Sequence, residues 1–100
     1  MKNGSNEDFD RLYQAVLTLK NLEECRDFFD DLFTISEIEA AAQRMKVADM
    51  LFNHVTCSAI SESTGISTAT VSRVNKYFKH GSGAYRRVLE RLHGTQEKNS

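Results

Sequence analysis

The sequence predicts an all-α chain of about six helices that includes a helix-turn-helix, on three observations. The 100 residues contain no proline, and Gly65, Gly81, Gly83 and Gly94 fall between periodic segments, which favours helices joined by short turns over strands. Apolar residues return at the i, i+3, i+4, i+7 spacing that lines one face of a helix. Residues 56–76 then hold a short helix, a glycine turn and a second helix in succession.

The first helix runs from about Glu7 to Lys20, with Phe9, Leu12, Tyr13, Val16 and Leu17 on its apolar stripe. Glu7, Asp8 and Asp10 suit the positive end of its dipole. Asn21 is the expected N-cap of a second helix carrying Leu22, Cys25, Phe28, Phe29, Leu32 and Phe33. A phenylalanine buries ~150–250 Å² when covered. Two such stripes are more than a small monomer hides, and they point to a partner subunit. Ser36 and Glu39 read as a capping box opening the third helix. Ala40, Ala41 and Ala42 allow close approach of a neighbouring helix, and Met45, Ala48, Leu51 and Phe52 continue the buried face. The pattern stops at Asn53-His54-Val55. Thr56 opens a shorter helix, which Gly65 ends in a left-handed turn. Ser67 or Thr68 starts the next, through Val71, Val74, Tyr77 and Phe78, and a last helix carries Tyr85, Val88, Leu89 and Leu92. Residues 1–6 are expected to be disordered, residues 7–93 to form a single helical domain, and residues 94–100 to be a polar frayed end.

Composition narrows the function. Forty per cent hydrophobic and 27% charged residues make a globular chain rather than a disordered tail. No run of about 18 apolar residues is present to span a bilayer, and no apolar stretch follows Lys2 as a secretion signal requires. A cytoplasmic chain without membrane contact is expected. Cys25 and Cys57 are too few for a disulfide framework and lack zinc spacing with His54, His80 or His93, so both are expected as small buried hydrophobes, with no metal site. No nucleophile–base pair or phosphate-cradling glycine loop appears, so neither catalytic residues nor enzymatic activity is expected.

The net charge of −1 hides a division. Residues 1–50 carry 6 Lys/Arg against 11 Asp/Glu, whereas residues 51–100 carry 7 against 3. Such asymmetry suggests that one half meets a polyanion. The helix-turn-helix supplies the motif. Its two helices cross steeply, so the contact residue on the first must be small, and Ser61 fills that place. Gly65 provides the positive φ of the turn, and Ile60, Ile66, Val71 and Val74 face inward to hold the crossing. The outward set is Thr68, Ala69, Thr70, Ser72, Arg73 and Lys76: short side chains first, then cations. A helix entering the major groove needs that order, because its first turn approaches base edges while later cations reach phosphates. No acidic residue lies between Glu62 and Glu90. Downstream, Lys79, His80, Arg86, Arg87 and Arg91 extend the phosphate-facing field. The partner expected is double-stranded DNA.

The stretch Leu-Phe-Thr-Ile-Ser-Glu-Ile-Glu-Ala at 32–40 and the stretch Thr70-Val71-Ser72-Arg73 carry a further signal. On these, and in the order of its helices over nearly the whole chain, the sequence resembles the tryptophan-repressor superfamily, in its YerC/YecD-like branch of bacterial proteins. The resemblance implies an intertwined homodimer in which the N-terminal helices of two chains interlock. Two reading heads then project at the spacing of one helical turn. It implies a sequence-specific DNA-binding transcriptional regulator, a repressor. By residue matching, Cys57, Ser58 and Ser61 stand where the repressor presents long polar and cationic side chains from its first reading-head helix. The expected DNA contacts are therefore Ser58, Ser67, Thr68, Ala69, Thr70, Ser72, Arg73, Lys76 and Lys79.

The same matching addresses an effector pocket. Thr34, Arg44 and Arg73 fall on the family's threonine and on the two arginines that flank the indole and grip the carboxylate of tryptophan. Val74, however, replaces a pocket glycine, and Tyr77 replaces a serine that contacts the ligand. These two side chains would occupy much of the indole's volume, so free tryptophan is not the expected corepressor and no cofactor is assigned. Alternatively, Arg44 pairs with an acidic partner such as Asp49 or one in the other subunit, and Arg73 binds phosphate. Two other functions fit the residues: an interaction module whose helix-turn-helix only packs, and a DNA-binding domain without regulatory activity.

Overall fold

The computed structural model of the protein describes residues 6–99, with side chains through Gly94. Six helices follow one another: α1 (Glu7–Leu17), α2 (Leu22–Leu32), α3 (Ile35–Phe52), α4 (Cys57–Thr64), α5 (Thr68–His80) and α6 (Ala84–Asn99). Among the described residues there is no strand, so the all-α expectation holds. No helix among them is long and apolar enough to cross a membrane.

The chain divides into two compact units, residues 1–38 and 39–100. The reason lies in where apolar side chains find cover. In the first unit, α1 and α2 contain no buried residue at all, and Phe9, Tyr13, Leu17, Leu22 and Leu32 are exposed. Local packing is limited to such contacts as the Phe29 and Phe33 rings, 5.1 Å apart. Asn6 caps α1, its Oδ1 accepting from the amides of Asp8 and Phe9, whereas residues 1–5 and Ser100, parts of the two expected disordered or frayed ends, lie outside the described residues. The helix ends at Leu17 rather than Lys20, because the Thr18 hydroxyl and amide both turn back onto the Ala15 carbonyl. Asn21 caps α2 as expected, accepting from Glu24 N at 2.9 Å.

The opening of α3 corrects the sequence reading. The capping box is Thr34–Glu37, not Ser36–Glu39. The Glu37 amide donates to Thr34 Oγ1 at 3.2 Å, and the Thr34 amide donates to Glu37 Oε1 at 2.8 Å. The Ile38 amide already bonds the Thr34 carbonyl, so Thr34 is the residue that flanks the helix and Ser36 sits inside its first turn.

All of the core belongs to the second unit: Val47, Ala48, Ile60, Ile66, Val71, Val74, Phe78 and Leu89. Each fully buried Val or Leu side chain there contributes ~1.5–3 kcal/mol. Ala41 and Ala42, by contrast, are exposed. The chain leaves α3 through His54, whose φ of 67° is the left-handed position usual at helix ends. In the turn after α4, Gly65 adopts φ 76° and returns its amide to the Ser61 carbonyl at 3.0 Å. Thr64 Oγ1 donates to the Ile60 carbonyl and accepts from the Ile66 amide, closing the turn with side-chain bonds. Finally, α6 does not fray at Gly94 but continues to Asn99. A glycine inside a helix costs only about 1 kcal/mol and does not by itself end one.

Candidate nucleic-acid interface

The site is built on α5 and on the turn that aims it. Ser67 caps the helix, accepting from the Thr70 amide at 3.2 Å, and its hydroxyl donates to Thr70 Oγ1 at 3.1 Å. Val71, Val74 and Phe78 are buried along one side of α5 and fix its rotation. That rotation leaves Thr68, Ala69, Ser72, Arg73 and Lys76 exposed and Thr70 half-buried. No carboxylate occurs on α5, and Lys79 and His80 close its last turn.

The candidate contacts are thus not equivalent. Ser67 spends its hydroxyl on the cap and on Thr70 Oγ1, which accepts from it, so the two side chains together position the first turn. Thr68 and Ser72 stay open and line a shallow cleft with Ser58, Ser61 and Cys57 where α4 crosses α5. Ser61 occupies the crossing, and its buried Oγ makes no hydrogen bond. Ser58 is exposed beside these groups, so α4 adds a short uncharged side chain to the α5 surface. Lys79 lies on a different concavity, shared with Arg86.

Of the effector-pocket candidates, Arg44, Arg73 and Tyr77 line one cleft of about 320 Å³, together with Val74, Ser82 and Tyr85. Thr34 belongs to the N-terminal unit, where its hydroxyl caps α3. Periodicity groups Tyr77 with the inward residues, yet it is 47% exposed. Its ring lies 5.3 Å from the Arg73 guanidinium and 5.8 Å from the Lys76 ammonium. Of the two partners open for Arg44, Asp49 is engaged elsewhere. Its Oδ1 meets His93 Nε2 at 3.0 Å, and the His93 ring packs 4.9 Å from Phe52. Cys25 and Cys57 are free and half-buried rather than fully buried. Both stand near helix N-termini, where the backbone is less covered than in a helix centre.

A short helix, a left-handed glycine and a capped second helix with an open, carboxylate-free outer face define an all-α helix-turn-helix protein. Comparison with known proteins gives the family. Residues 7–93 match the family model described as Trp repressor protein, and the chain belongs to that family. It is 46% identical over 93 residues to the uncharacterized protein YerC of Bacillus subtilis, covering 93% of this chain and 89% of that one. A TrpR-like protein from Eubacterium eligens superposes with a TM-score of 0.82 at 49% identity, over 88% of this chain and 91% of the other. A chain described as a candidate Trp repressor from Staphylococcus aureus gives 0.83 at 43% identity, over 89% of each. Family and fold together indicate a helix-turn-helix DNA-binding regulator.

Proposed function

We propose that the protein is a sequence-specific transcriptional repressor that binds duplex DNA as a homodimer in the bacterial cytoplasm. One observation carries the reading: the exposed face of α5, from Thr68 through Ser72 and Arg73 to Lys76, is anchored by a buried opposite face and bears no carboxylate. Thr68 and Ser72 are suited to base edges, and Arg73 and Lys76 to phosphates or guanine. The N-terminal unit supports two-fold symmetry. Leu17 is 83% exposed and Leu22 65%, and helices this apolar require a cover that a second copy supplies.

Free tryptophan is not the corepressor in this reading. The support is Val74, 1% exposed and committed to the core, and Tyr77, committed to Arg73 and Lys76. The test of the function is selection of bound duplexes from a random pool. A discrete palindrome with half-sites about 10 base pairs apart is expected. Recovery of unenriched sequence would reject sequence-specific regulation.

A further inference from the structure

A second concavity lies apart from the Arg44–Arg73–Tyr77 cleft, where the end of α3, the start of α4, α5 and the first turns of α6 meet. This open cleft measures about 430 Å³, within the size range of small-molecule sites, ~300–1,000 Å³. Three basic side chains line it, His54, Lys79 and Arg86, each from a different element, and no carboxylate does. Its wall is apolar: Leu51 and Val55 are half-buried, and Phe78 is 6% exposed. Phe78 also orders one of the cations, because the Arg86 guanidinium lies 4.2 Å from the centre of its ring. Stacking of this kind holds the planar fork of an arginine and leaves its N–H groups free for an anion. His54 lines the cleft from the left-handed turn after α3, and Asn75 adds a half-buried amide.

We propose that this cleft binds a phosphate monoester with a small apolar body. Lys79, Arg86 and His54 hold the phosphate, and Leu51 and Val55 receive the body. Basic side chains lining one cleft from separate elements suit a compact dianion, for which a planar arginine and a point-charge lysine are complementary partners. The apolar wall distinguishes this ligand from a phosphate of the DNA backbone, which has no use for Leu51 and Val55. The proposal stands independently of the DNA-binding function.

The test is a backbone-amide NMR titration of the full chain with phenyl phosphate, inorganic phosphate and a short duplex in separate arms. Phenyl phosphate is expected to give saturable shifts at Thr56, Asn75 and Lys79 and to bind about tenfold more tightly than inorganic phosphate. Lys79→Ala and Arg86→Ala should each weaken it about tenfold, whereas Arg11→Ala should leave it unchanged. Equal response to both phosphates, or loss of binding in Arg11→Ala as well, would overturn the proposal. Shifts at these amides with the duplex but not with phenyl phosphate would also overturn it and assign the cleft to the DNA backbone. Phenyl phosphate binding without any duplex response would instead sustain the cleft and reject the DNA function.

Discussion

The Tyr77 ring lies 5.3 Å from the Arg73 guanidinium, one helical turn apart on α5, at the edge of the surface assigned to DNA. An arginine stacked on an aromatic ring samples fewer rotamers, so the cost of ordering it on DNA falls. The ring thus acts as a positioning group for Arg73. Tyr77→Phe should keep duplex affinity nearly unchanged, and Tyr77→Ala should weaken it by the ~0.5–1 kcal/mol of an exposed cation–π contact. Fluorescence anisotropy with the selected duplex checks both. Equal loss in the two variants would assign the effect to the hydroxyl instead.

The same ring bears on the effector. Titration calorimetry with L-tryptophan is expected to show no saturable heat for the natural chain, because Val74 and Tyr77 stand in the cleft beside Arg44 and Arg73. Micromolar binding would reverse this, and would mean that Tyr77 swings out of the cleft.

Two glycines should fail for different reasons. Gly65 has open space where a Cβ would project but a φ of 76°, so Gly65→Ala carries only the left-handed penalty of ~1–2 kcal/mol. Gly81 has ordinary extended backbone, yet a Cβ there would run into the Tyr77 carbonyl oxygen and force the end of α5 to shift. Urea unfolding should show Gly81→Ala as the more damaging of the two. The reverse order would mean that the α5–α6 turn relaxes freely.

The cap of α3 can be tested in the same way. Thr34→Ala should cost about 1 kcal/mol and Ser36→Ala close to nothing, since Thr34 accepts from the Glu37 amide. A larger loss at Ser36 would restore the box expected from the sequence.

That cap shows what is legible in the sequence. Thr34-Ile35-Ser36-Glu37 and Ser36-Glu37-Ile38-Glu39 both satisfy the capping-box spacing, and only the backbone ladder chooses between them. Asn21, Thr56 and Gly65 have no such competitor, and they mark the ends of their helices as expected; of the two starts open for the fifth helix, Ser67 is the cap and Thr68 the first helical residue. The helix-turn-helix is legible because its core residues follow local periodicity. That same periodicity misplaces Tyr77, which lies at the margin of the buried stripe rather than within it. The Asp49–His93 pair has no local signature, its partners being 44 residues apart. The cleft of His54, Lys79 and Arg86 is equally hidden, because three separate elements supply its basic side chains.

The salt dependence of duplex binding is the most direct test that the outer face of α5 meets DNA. Affinity should fall linearly in log–log form as salt rises, with a slope of about −0.9 per phosphate neutralised, and Lys76→Ala should reduce that slope by about one unit. Binding that is absent, insensitive to salt, or unchanged in slope in Lys76→Ala and in affinity in Arg73→Ala would contradict it.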